Sequence, residues 1–118
     1  MRDQTIALSA RPTVPVPGPL VPLLRLIHAR LRPVDVWLFG SRARGNHQPD
    51  SDWDLLAVLP DDASESLLDP IVAWEIVGAS GVRSTLLATR RSDLEGIWGR
   101  VNTLGYVLSR EGVRLNVG

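Results

Sequence analysis

Two short apolar runs, each broken by residues that such runs avoid, constrain this chain more than any other feature. The first, Val34 to Phe39, stops at Gly40-Ser41. Ten residues then separate Ser41 from Asp52, and Asp52-Trp53-Asp54 opens the second run, Leu55 to Leu59. Runs of this length, bounded by glycine, proline and polar residues, read as strands. Strand side chains alternate, so Asp52 and Asp54 share a face, their Cα atoms about 6.5–7 Å apart, and Trp53 takes the other. Aspartate is disfavoured in strands, so two at the head of one invite a chemical explanation.

A strand ending in glycine lets backbone approach a phosphate closely, because no Cβ intervenes. Ser41 would then open the next helix, where free N–H groups and the helix dipole favour an anion. Arg42 and Arg44 add forked, permanently charged donors suited to phosphate oxygens. Two carboxylates on one strand face can share a Mg²⁺, which keeps substrate phosphates in its shell. Taken singly, each feature has a plain reading: a tight turn, solvated arginines, a polar loop running into a strand. Together they select a nucleoside-triphosphate site, with Gly40, Ser41, Arg42 and Arg44 at the phosphates and Asp52 and Asp54 at the metal.

The rest of the chain reads as helices alternating with short strands. Leu20, Leu23, Leu24, Ile27 and Leu31 recur at helical spacing, and Pro33 stops that helix. Ser41 to Asn46 reads as a turn or two of helix with Gly45-Asn46 as its stop. A helix is expected over 63–77, its stripe made of Leu67, Leu68, Ile71 and Trp74, and strands over 82–89 and 113–117. Ser92 with Glu95 has the capping-box spacing, and a further helix runs from about Val101 to Arg110. Pro12, Pro15, Pro17 and Gly18-Pro19 mark residues 1–18 as an extended arm outside any sheet. Residues 19–118 then form one α/β (α+β) domain, a small mixed sheet of three to four strands flanked by helices. Trp37, Trp53 and Trp74 are expected in the core. Trp98, beside glycine, suits core or interface equally, and His28 and His47 read as surface.

The bulk properties exclude several classes. With 118 residues, the chain suits one domain with a modest core. Thirteen basic side chains balance thirteen acidic ones, which gives no strong nucleic-acid signal. There is no cysteine, hence no disulfide, thiolate site or thiol nucleophile. No apolar stretch approaches the ~18 residues of a membrane span, and no signal-peptide pattern opens the chain. A cytoplasmic location is the expectation.

Gly40-Ser41, ten residues, then Asp52-Trp53-Asp54 resembles the signature of the DNA polymerase beta nucleotidyltransferase superfamily. Gly-Ser-Arg-Ala-Arg-Gly with Ser-Asp-Trp-Asp-Leu-Leu looks like its minimal nucleotidyltransferases, and Glu111-Gly112-Val113-Arg114-Leu115 is similar to their C-terminal ending. The resemblance covers roughly residues 20 to 117. It implies a polymerase beta-like fold and a Mg²⁺- or Mn²⁺-dependent site, with Asp52 and Asp54 catalytic and metal-binding. The implied reaction is transfer of a nucleoside monophosphate, AMP from ATP, to a hydroxyl of a partner protein. Such proteins pair with HEPN-type helical toxins as antitoxins, so a HEPN-like partner is implied.

The chain departs from the pattern in its third strand, where the family carries a third carboxylate. The alignment puts Ser84 there, and a slip of one gives Arg83 or Thr85. No Asp or Glu lies between Ile76 and Ser92. Loss of a general base commonly costs ~10²–10⁴ in rate. Two functions therefore stand side by side: nucleotidyl transfer to a partner, or a catalytically degenerate module that neutralises a HEPN-type toxin by contact.

Overall fold

The computed structural model describes residues 11–116. Five strands form one mixed sheet: β1 (Thr13–Val14), β2 (Asp35–Phe39), β3 (Trp53–Leu59), β4 (Ser84–Arg90) and β5 (Val113–Leu115), ordered β1-β5-β2-β3-β4. Strand β2 is antiparallel to both β3 and β5, whereas β3–β4 and β1–β5 are parallel. The helices are α1 (Val21–Leu31), α2 (Ser41–Arg44), α3 (Pro70–Ser80), α4 (Arg91–Ile97) and α5 (Leu104–Glu111). None of them is long and apolar enough to cross a membrane.

Alternation in β2 and β3 divides the core. Leu20, Leu23, Leu24, Ile27 and Leu31 of α1 and its leading turn are buried against Val36, Leu38, Leu55, Ala57 and Leu59, as their helical spacing requires. The other sheet face, Trp37, Leu56 and Val58, packs on Leu94, Trp98 and Leu108 from the α4–α5 region. The Trp37 and Trp98 rings meet at 5.3 Å, tilted by 56°. Helix α1 ends as its period predicts: Arg32 turns left-handed (φ 47°) just before Pro33, because proline disfavours helical geometry in the preceding residue.

Four expectations need correction. The sheet has five strands, since Thr13 and Val14 pair with Arg114 and Leu115; two residues between prolines suffice for a parallel edge strand, which needs few backbone donors. The helix expected over 63–77 splits into a 3₁₀ turn (Glu65–Leu68) and α3. Asp69 caps α3, accepting from the Ile71 N–H at 3.0 Å, and Pro70 takes the first helical position, where its missing donor costs nothing. Helix α3 buries Ile76 and packs Val72, Ala73 and Val77, leaving Trp74 72% exposed. It is apolar nearly all round, so periodicity could not select the buried face. Finally, Ser92 does not form a capping box: its N–H is taken by Asp61 at 2.8 Å, and Glu95 pairs with Arg91. Trp98 is buried at 4% exposure, and both histidines are exposed.

Candidate functional site

The end of β2, the starts of β3 and β4, and the end of α5 meet at one corner of the sheet. Asp54 stands in register with Phe39 on one side and Thr85 on the other. Residues in register share a face, so Asp54 projects on the Trp37 side, next to the bend at Gly40. The contact is close: an ideal Cβ on Gly40 would stand 2.1 Å from Asp54 Oδ2. Gly40 also has φ 76° and ψ −161°, a region essentially reserved for glycine. The glycine-serine bend and the second aspartate therefore converge, held together by conformation and by sterics. The bend then enters α2, which Gly45 closes in a left-handed conformation.

Asp52 lies on the approach to β3 and pairs with Arg83 at 3.3 Å, an exposed contact. Thr85 hydrogen-bonds Asp54. The expected substitution at the third carboxylate thus shifts by one residue. Ser84 pairs with Trp53 on the opposite face and donates its hydroxyl to Val82 O, so Thr85 is the neighbour of Asp54. Burial raises the pKa of the Asp54 carboxyl above its ordinary value, and the Asp52 charge raises it further. The Thr85 hydrogen bond and Arg44 pull it back, and Glu111 adds a smaller push upward.

The two predicted arginines part company. Arg42 donates to Ser51 O at 3.0 and 3.2 Å and to Pro49 O at 3.1 Å, with its guanidinium 4.4 Å from the Trp53 ring. It clamps the loop that delivers Asp52. A cavity of about 330 Å³ opens beside this clamp between Pro19, Trp53 and Arg83. Arg44 turns toward the bend, where Glu111 accepts from it at 3.0 and 3.2 Å. The same Glu111 carboxylate accepts the Gly40 N–H at 2.8 Å. Glu111 is the site residue that the sequence reading missed. Besides its place at the head of the Glu111–Leu115 ending, its local signal is an acid in the last turn of a helix, where the dipole disfavours it.

The residues present suit a divalent cation of the magnesium kind. Among the described residues, no three or more His, Cys, Asp or Glu side chains form a metal cage. Magnesium, however, is commonly held by one or two carboxylates and completed by substrate phosphates and water. Burial and, after it, the neighbouring Asp52 charge disfavour an ionised Asp54, and a bound cation would offset both.

A family model described as the nucleotidyltransferase domain matches residues 23–99. The chain belongs to that family. The matched span of this nucleotidyltransferase domain holds Gly40, Ser41, Asp52 and Asp54, and ends before Glu111. Among solved structures, the nucleotidyltransferase domain is similar to a crystal structure of a toxin-antitoxin with AMP-PNP. The TM-score is 0.53 at 17% identity, over 80% of this chain and 70% of that one. No curated protein sequence matches.

Proposed function

We propose that this nucleotidyltransferase domain binds ATP with Mg²⁺ (or Mn²⁺) at the Gly40–Asp54 corner and transfers AMP to a hydroxyl of a partner protein. The observation that carries the reading is the approach of the Asp54 carboxylate to Gly40. It brings the glycine-serine bend, whose backbone carries no Cβ at Gly40, directly against the Asp54 carboxylate. Asp52 and Asp54 would hold the cation, which supplies charge neutralisation at the phosphates. Gly40, Ser41 and Arg44 would bind phosphate oxygens, while Arg42 fixes the loop that carries Asp52. In the reaction the acceptor oxygen bonds to the α-phosphorus, the bond to the β-phosphate bridging oxygen breaks, and diphosphate leaves. With Thr85 beside Asp54, the acceptor proton passes to solvent or to a base on the partner.

A HEPN-like helical toxin is the proposed acceptor, and the chain's role is that of its antitoxin. A toxin-antitoxin structure of like fold supports this reading. Incubation of the chain and its genomic neighbour with ATP labelled at the α-phosphate tests it. Label should appear on the neighbour and vanish with Asp52→Asn; no label with the wild-type chain overturns the transfer. The uncharged Thr85 beside Asp54 favours one second reading, neutralisation by contact alone. Under it, Asp52→Asn and Asp54→Asn would neutralise the toxin as fully as wild type.

A further inference from the structure

We propose that Glu111 is a specificity-determining residue of the nucleotide site: its carboxylate stands in place of a phosphate, so that polyphosphate is admitted in preference with its metal. This inference rests on the proposed nucleotide site and deepens it. The donors a phosphate needs at the bend are the Gly40 N–H and the Arg44 guanidinium. Both are already engaged by one carboxylate, at 2.8 Å and at 3.0 and 3.2 Å. A carboxylate and a phosphate face offer the same thing to such donors, two negative oxygens in one plane.

The fold takes trouble to bring Glu111 here. It is the last residue of α5, at the negative end of the helix dipole, where an acid is disfavoured unless it is compensated. Gly112 follows, and an added Cβ there would meet Leu108 O at 2.6 Å and Trp37 Cε3 at 3.0 Å. The absence of a side chain at 112 lets α5 end against Trp37, beside the strand that runs into Gly40. Glu111 side-chain exposure is 22%, enough for its long side chain to rotate out into solvent.

The placement of charge gives the consequence. Asp52, Asp54 and Glu111 share the corner with Arg44 on Glu111, Arg83 on Asp52 and Arg42 on the Ser51 loop, so an anion that displaces Glu111 enters beside two further carboxylates. A metal-free polyphosphate must displace one carboxylate and approach two more. A metal-bound one arrives with much of its own charge offset and with a cation for the aspartates. Glu111 thus competes for the phosphate donors and, once displaced, still repels an uncompensated polyphosphate across the corner.

Calorimetric titration of the intact chain with tripolyphosphate without metal, and with MgATP, tests the assignment on wild type, Glu111→Gln and Glu111→Ala. The Gln variant keeps the shape and a neutral acceptor for Gly40, so it guards against misfolding of the Ala variant; thermal melts check both. Tripolyphosphate should bind Glu111→Ala about tenfold more tightly than wild type, and MgATP only about threefold. Equal or weaker binding to both variants overturns the inference and makes Glu111 a positioning residue for Arg44. If wild type also binds MgATP and Asp52→Asn does not, the nucleotide site stands without it. If no form of the chain binds either probe, the inference and the nucleotide site fall together.

Discussion

Asp54 and Gly40 are built for each other: the carboxylate Oδ2 occupies the place where any other residue at position 40 would put its Cβ, 2.1 Å away. Because Phe39 and Asp54 are register partners on adjacent strands, the two backbones stay together, and only rotation of the Asp54 side chain can open the contact. One substitution therefore tests geometry and function at once.

Gly40→Ala is expected to lower stability by about 2 kcal/mol, since alanine is strained at φ 76° and its methyl must push Asp54 aside. Displacement of Asp54 should abolish MgATP binding. Urea denaturation and calorimetry measure the two effects; an alanine variant with wild-type nucleotide binding would show that the approach is incidental.

Asp54→Asn should make the metal-free protein more stable while removing nucleotide binding. Burial and Asp52 raise the Asp54 pKa above its usual 3.8, so the folded chain holds that proton more tightly than the unfolded one. The resulting contribution to stability is complete below pH 3.8 and is lost as pH rises through the raised value. Asparagine never ionises, so its melting temperature should exceed that of wild type at neutral pH, and the gap should close in acid. Magnesium should then raise the wild-type melting temperature and leave the variant's unchanged. A variant less stable than wild type at pH 7 in EDTA would contradict the unbalanced-charge account.

Arg114→Leu should destabilise the fold by about 3–5 kcal/mol. Its guanidinium meets Asp35 at 2.8 Å across β5 and β2, and Asp35 is 3% exposed. Removal of the arginine strands a buried carboxylate, whereas Asp35→Leu with Arg114→Leu should recover most of the loss. Equilibrium urea unfolding of the single and double variants checks this; a mild single-variant effect would mean that water reaches Asp35.

Trp98, which the sequence left open between core and interface, should be costly to truncate, and Trp74, expected in the core, should not. Trp98→Ala is expected to cost about 3–5 kcal/mol, because the ring packs against Trp37 in the second core. Trp74→Ala should change stability by less than about 0.5 kcal/mol, its ring lying 72% exposed on α3. Chemical denaturation distinguishes the two, and a large loss at Trp74 would place its ring in the fold's packing.

The local grammar of the chain was legible without coordinates. The period of α1, the strand character of β2 and β3, and the Gly40-Ser41 and Asp52-Trp53-Asp54 punctuation each depend on neighbours a few residues apart. That range is what steric alternation and helical periodicity report. Ambiguity entered wherever a segment was apolar on every side, as in α3, or too short to carry a period, as in Thr13–Val14.

What folding alone decided was which groups answer each other across the chain. Strand register chose Thr85 over Ser84 as the neighbour of Asp54, turned Arg42 onto its own loop, and brought Glu111 from the far end of the sequence onto the Gly40 N–H. These are contacts between residues as many as 71 positions apart. No short-range periodicity encodes them, because they follow from how two strands align and where a helix stops, both settled by the packing of the whole core.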